Sequence, residues 1–137
     1  MAFEWEKVEL FGANNDGDPV SYTVADGTAV SKGTLMKLTD PRTAIAATTD
    51  IIPTPIAGVA STDKEANDGA TRLALWTNGI FEVSASGAIR IGESVTGTLN
   101  NYVISSGALT EAASGAILGR ALESGTDAEV INVRLQL

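Results

Sequence analysis

Short runs rich in Val, Ile, Leu and Thr alternate with turn residues along most of the chain, at a spacing of about eight to twelve residues. The turn marks are Asn14-Asn15-Asp16-Gly17, Asp26-Gly27, Lys32-Gly33, Asp68-Gly69, Asn78-Gly79, Ser86-Gly87, Ser106-Gly107 and Ser124-Gly125. Runs this short and this evenly spaced predict an all-β fold, a sandwich or barrel. No stretch carries the period of a long amphipathic helix. Residues 62–67 predict one short helix, because Ser61 or Thr62 can cap it and Glu65 follows. Residues 109–113 are a weaker helical stretch.

The most specific local signal is Asn78-Gly79. A two-residue Asn-Gly loop suits a type I′ turn, whose central residues both need positive φ. The expected hairpin joins residues 72–77 to 80–84 and sets Trp76 opposite Phe81 and Ala74 opposite Val83. Leu73, Leu75 and Ile80 then occupy the other face, so these strands are apolar on both sides. Such strands lie between two sheets or against a partner.

The pattern also repeats with a period of about sixty residues. Gly33-Thr34-Leu35-Met36 is echoed by Gly92-Glu93-Ser94-Val95, and residues 55–60 by 116–121. The alternation of residues 71–75 returns at 129–133. Pseudo-repeats at 27–84 and 87–137 are one reading; chance likeness between simple β segments is the other. The body, 19–137, is expected to be a single β domain.

Residues 1–18 differ from that body. They hold five acids against one lysine, and Phe3, Trp5 and Phe11 are three of the chain's few aromatics. Phe3 and Trp5 alternate with Glu4 and Glu6, after which the phase flips to Val8 and Leu10. The segment is either the first strand of the barrel or an arm that orders on a partner, by adding a strand or filling a groove. The arm is the reading carried forward.

Composition narrows the function. Nine Lys and Arg against 17 Asp and Glu leave a net charge of -8 in 137 residues. That balance disfavours binding nucleic acid through phosphates or docking on an anionic membrane. There is neither Cys nor His, which removes disulfides, thiolate metal sites and every imidazole-based triad. No signal peptide and no spanning segment is expected from the acidic N-terminus and the short apolar runs.

The remaining chemical motifs are weak. Asn14-Asn15-Asp16-Gly17-Asp18 lacks the distal glutamate of a calcium loop and reads as a solvated turn. Lys32-Gly33-Thr34 inverts the order of a phosphate loop. Glu82, Glu93, Glu111, Glu123 and Glu129 are carboxylates that a glycosidase would need in pairs, yet most fall in turns or at outward positions. Glu82 is the exception, with apolar neighbours that set it against Leu75 or mark an interface. Asn100-Asn101-Tyr102 is the one cluster suited to a sugar, so a receptor- or glycan-binding module is the alternative reading. No catalytic residue, metal ligand or cofactor site is expected.

Pro55-Ile56-Ala57-Gly58-Val59-Ala60, a polar loop through Asp63 and Asp68, and the run from Thr71 through Asn78-Gly79-Ile80-Phe81 to Val83 resemble small head decoration proteins of tailed bacteriophages. The segments Gly87-Ala88-Ile89-Arg90-Ile91-Gly92-Glu93, Gly119-Arg120-Ala121-Leu122-Glu123 and 129–135 are similar to related capsid-stabilising proteins. The resemblance implies a small β-barrel or β-tulip-like body with an extended N-terminal arm. It also implies a non-enzymatic cement protein, made in the host cytoplasm and placed on the outer surface of the virion. The expected partners are the major capsid protein and itself, as a homotrimer. Phe3, Trp5, Val8, Leu10 and Phe11 are the residues expected to contact the capsid, since buried aromatics dominate many interfaces.

Overall fold

The computed structural model describes residues 4–10, 19–47, 55–105 and 115–137. It is nearly all β. Eleven strands are formed among the described residues: β1 (Glu6–Glu9), β2 (Val20–Thr23), β3 (Leu35–Thr39), β4 (Thr43–Ala46), β5 (Ile56–Ala60), β6 (Arg72–Trp76), β7 (Asn78–Ser84), β8 (Ser94–Gly97), β9 (Val103–Ser105), β10 (Ile117–Ala121) and β11 (Val130–Gln136). Strands β2-β4-β3-β5-β6 close into a barrel, and β1-β7-β11-β10-β8-β9 form a six-stranded sheet.

The two sheets are built on one plan. In the barrel β2 pairs with β6, β6 with β5, β5 with β3 and β3 with β4. In the sheet β7 pairs with β11, β11 with β10, β10 with β8 and β8 with β9. The barrel closes through a parallel pair, Thr23 with Arg42 and Thr43; the sheet has the same closure reduced to a parallel bridge between Ala85 and Val103. Each unit therefore begins one strand earlier than the glycine-marked segments, at β2 and at β7. Turn contacts repeat as well. Gly33 N–H donates to Ala60 at 2.9 Å as Gly92 N–H does to Ala121 at 2.8 Å.

Gly58 and Gly119 show why glycine stands at the bulge of β5 and of β10. Their φ values are 155° and 159°, and the pairing slips one residue beside each. A Cβ on Gly58 would lie 2.6 Å from the Trp76 carbonyl oxygen, and one on Gly119 would lie 1.8 Å from that of Arg134. No side chain fits there without moving a neighbouring strand.

Adjacent residues divide between two cores because successive side chains on a strand point to opposite faces. Met36, Ala57, Ala60, Leu73 and Leu75 fill the barrel with Val24, Val30 and Ala44. Leu35, Val59 and Trp76 leave the same strands on the outer side and join Phe81, Val83, Val95, Leu118, Ile131, Val133 and Leu135 in the core of the sheet. β6 is thus covered on both faces, with Leu73 and Leu75 on one and Trp76 on the other.

Two local expectations are corrected. Asn78-Gly79 is not a hairpin turn. β6 belongs to the barrel and β7 to the sheet, so the chain crosses between them, and Gly79 lies within β7 with φ of 148°. What the position demands is close approach: a Cβ there would lie 2.8 Å from the Glu9 carbonyl oxygen. Trp76 and Phe81 still meet, with ring centroids 5.6 Å apart, but through the packing of sheet on barrel.

The helix expected at 62–67 is also absent, since turns and an isolated bridge occupy that segment. Lys64 pairs backbone to backbone with Val30, at 2.7 and 2.9 Å. Its side chain is 2% exposed and 3.1 Å from the Asp68 carboxylate. The ammonium also donates to the carbonyls of Asp26 at 2.8 Å and Glu65 at 3.0 Å. A buried charge supplied with three acceptors fixes this loop more firmly than one helical turn would.

Two predictions follow from this packing. Gly119→Ala should destabilise the protein by ~3 kcal/mol, combining backbone strain with displacement of β11, measurable by urea unfolding. Asp68 is held below the usual carboxylate range by the Ala70 N–H and then by the Lys64 ammonium. Its stabilising effect is therefore complete at neutral pH and is lost as pH falls through its lowered value, below about pH 4. Asp68→Asn should lower stability at pH 7 and flatten that acid-side loss.

Candidate functional site

The N-terminal strand brings the expected contact residues to two different places. β1 has the sequence Glu-Lys-Val-Glu and is exposed throughout. Its pairing to β7 sets Glu6 against Glu82, Lys7 against Phe81 and Glu9 against Ile80, with a register shift between Lys7 and Glu9. Val8 is the extra residue of that bulge, and it stands 52% exposed. A bulge inverts the phase of a strand. Trp5 and Leu10, of opposite parity in sequence, consequently both face inward, at 3% and 5% exposure. Phe3 and Phe11 lie outside the described residues.

Trp5 is held by polar and aromatic contacts at once. Its backbone N–H donates to the Gly33 carbonyl at 2.8 Å, and its indole Nε1 donates to the Asn101 carbonyl at 3.0 Å. The ring lies 5.8 Å from Phe81, tilted against it. Asn101 completes the arrangement. It sits at φ 67° in a 3-10 turn, Leu99–Asn101, and is 1% exposed. Its Oδ1 accepts from Leu35 N–H at 2.7 Å, and its Nδ2 donates to the Gly33 carbonyl at 2.8 Å. Asn101 thus ties the β8–β9 turn to Gly33 and the first residue of β3 through its side chain, and to Trp5 through its backbone carbonyl. Asn101 is the middle of the Asn-Asn-Tyr cluster read as a sugar site. Its side chain is spent inside the protein, and sequence reasoning missed this role.

The outward side of β1 pairs with nothing among the described residues. A groove of about 320 Å³ runs beside it, lined by Lys7, Val8, Glu9 and Leu10. Glu6 and Glu82 are directly opposed across β1 and β7. Opposed like charges cost a fraction of a kcal/mol, and neither has an ion-pair partner among the described residues.

The other carboxylates serve turns. Glu93 accepts from the Ser105 hydroxyl and from Arg90 N–H, and both hold its carboxyl below the usual range. Glu129 is lowered by the Thr126 N–H and hydroxyl, and Glu123 accepts from Asn132 N–H at 2.8 Å. A general acid needs the opposite shift. Glu82 is exposed on the outer face of β7, away from Leu75. Glu111 lies outside the described residues. Among the described residues no group of three or more Asp, Glu, His or Cys is placed to hold a metal ion, and no helix is long and apolar enough to cross a membrane.

Residues 14–137 match the sequence model of a family described as phage cement protein. The chain belongs to the phage cement protein family. The match starts after β1, so Trp5 and its strand precede the matched part. Among solved structures, the fold is similar to the head fiber gp8.5 N base of bacteriophage phi29. The TM-score is 0.57 at 16% identity, over 87% of this chain and 95% of that one. At that identity the likeness concerns the fold. No curated protein sequence matches the chain.

The buried contacts of Trp5 and Asn101 generate a stability prediction. Trp5→Ala should cost ~3–5 kcal/mol, as for other large-to-small changes in a core. Asn101→Ala should cost ~2–3 kcal/mol, because it strands the Leu35 N–H and leaves the Gly33 carbonyl with the Trp5 N–H alone. Equilibrium unfolding of the two variants checks both values.

Proposed function

We propose that this protein decorates the outer surface of the phage head and stabilises the mature shell by bridging neighbouring major capsid proteins. It acts as a homotrimer and performs no reaction. A cement subunit must add interface across a seam, which calls for a rigid body and a surface able to join another chain.

The observation that carries this reading is the open edge of β1. Trp5 and Leu10 fix the strand from behind, while Val8 and an unpaired backbone face outward. An edge of this kind is a template for an incoming strand. Phe3 and Phe11, on either side of β1 in sequence, add apolar contact in the same reading, and Trp5 and Leu10 hold the strand in place. Charge selects the partner. Two copies of β1 paired antiparallel and in register would bring Glu6 against Glu9 twice, which disfavours self-association at this edge. A capsid strand carrying Lys or Arg would instead neutralise Glu6, Glu9 and Glu82. The acidic surface also suits a protein that must ignore nucleic acid.

Val8 separates binding from folding. Val8→Glu should weaken attachment to expanded heads by at least ~tenfold, with a melting temperature close to that of the parent. Saturating parent protein should raise the temperature at which DNA-filled heads rupture. Equal head binding by Val8→Glu, or heads that rupture at the same temperature with and without the protein, would refute the proposal.

A further inference from the structure

The outer face of the six-stranded sheet carries two like-charge pairs of opposite sign. Glu6 opposes Glu82 across β1 and β7, and Arg120 opposes Arg134 across β10 and β11. The order β1-β7-β11-β10 sets the acidic pair beside the basic one. Three strand spacings separate β1 from β10, about 14 Å. Directly opposed like charges destabilise a sheet, so folding gains nothing from either pair.

Register assigns Arg120 to a docking position. Leu35, Val59 and Trp76 are consecutive partners across β3, β5 and β6, and they are buried against the second unit. Their counterparts across β8, β10 and β11 are Ser94, Arg120 and Arg134, on the outward side of that sheet. The glycine before each series shows the same contrast. A Cβ on Gly33 would lie 2.6 Å from the Trp5 carbonyl oxygen, whereas one on Gly92 meets nothing within 4 Å among the described residues. Next to Gly92, Ile91 is 67% exposed, and Leu122 is exposed as well. The surface covered in the first unit is open in the second, and it is cationic where the first is apolar.

Charge defines what this surface takes. Arg120 is exposed, and no hydrogen bond or ion pair among the described residues holds its guanidinium. Its neighbours on the face are Ser94, Arg134 and Leu122, with Asn132 and Gln136 on the diagonals. None of these is acidic. The carboxylates nearest in sequence are engaged elsewhere, Glu93 by the Ser105 hydroxyl and Arg90 N–H, and Glu123 by Asn132 N–H. Arg134 is half-buried, has contacts of its own and lies diagonal to Glu82. Arg120 is therefore the group that reaches a partner, and a guanidinium only donates, so the partner must bring an anionic acceptor.

We propose that Arg120, with Ile91 and Leu122 beside it, is the second attachment surface of the bridge and takes a carboxylate-bearing segment of the neighbouring major capsid protein. The inference rests on the capsid reading above, which requires two contacts and has so far named one, the β1 edge. Glu6 and Glu9 select a cationic strand at that edge, and Arg120 selects an anionic segment at the other end. Opposite signs at the two ends let the protein seat on a seam in one direction only.

Arg120→Glu should weaken attachment to expanded heads at least ~tenfold, with the melting temperature of the free protein unchanged. Heads saturated with this variant should rupture at the temperature of bare heads. Carbodiimide treatment of heads decorated with Arg120→Lys identifies the occupant, because the introduced amine condenses with a carboxylate in contact with it. The expected product, mapped by mass spectrometry, is an amide to an Asp or Glu of the major capsid protein. Arg120→Glu attaching as tightly as the parent overturns the proposal, and so does a cross-linked product that never includes the capsid protein. In both cases parent protein that binds heads leaves the capsid reading standing. Parent protein that ignores heads overturns both.

Discussion

The structure depends on one constraint: a five-stranded barrel this small cannot complete its own interior at both ends. Domains of limited size bury too little surface to be stable alone, and an open mouth lined by Phe81 and Val83 would leave large apolar groups wet. The second unit meets this need by borrowing. Leu35 and Trp76 come from the first unit and Trp5 from the N-terminal strand. Asn101 locks the loan through one buried amide that bonds the Leu35 N–H and the Gly33 carbonyl. Hydrophobic burial supplies most of the stabilisation, and the amide fixes the geometry, because any other placement would strand buried polar groups.

The shared pairing plan of the two units accounts for much of what else is seen. The bulge glycines, the paired turn contacts and the parallel closure recur because both units solve the same backbone problem. The divergences show where function has room. Leu35, Val59 and Trp76 join the two units, whereas Ser94, Arg120 and Arg134 occupy the same register positions on the second unit. Polar groups there leave that side of the second unit without the apolar face that joins the first unit to it. Repetition thus builds a rigid body of defined length, and the added strand β1 gives it an edge.

Much of the fold was legible in the sequence, for identifiable reasons. Turn spacing reported an all-β chain because strands of three to seven residues need frequent reversals. The phase flip between Trp5 and Val8 was visible and has a cause in the β1 bulge, which turns Trp5 and Leu10 inward together. Asn78-Gly79 misled because the same dipeptide serves a tight turn or a close backbone approach, and only the strand partners distinguish the two. The capping pattern at 62–67 lost to tertiary bonds of Lys64 with Val30, Asp26 and Asp68. Asn101 was illegible, since nothing local shows that an asparagine in a polar run will be buried against residues far away in sequence.

In the proposed role, a body clamped in this way would carry load between neighbouring capsid proteins, with the open strand β1 as the point of attachment. Electron cryomicroscopy of the decorated head tests the account most directly. The account predicts density for this fold on the outer surface, astride the boundary between two major capsid proteins, with a capsid strand continuing the sheet beyond β1. Density confined to the centre of a single capsid subunit, with β1 turned to solvent, would contradict it.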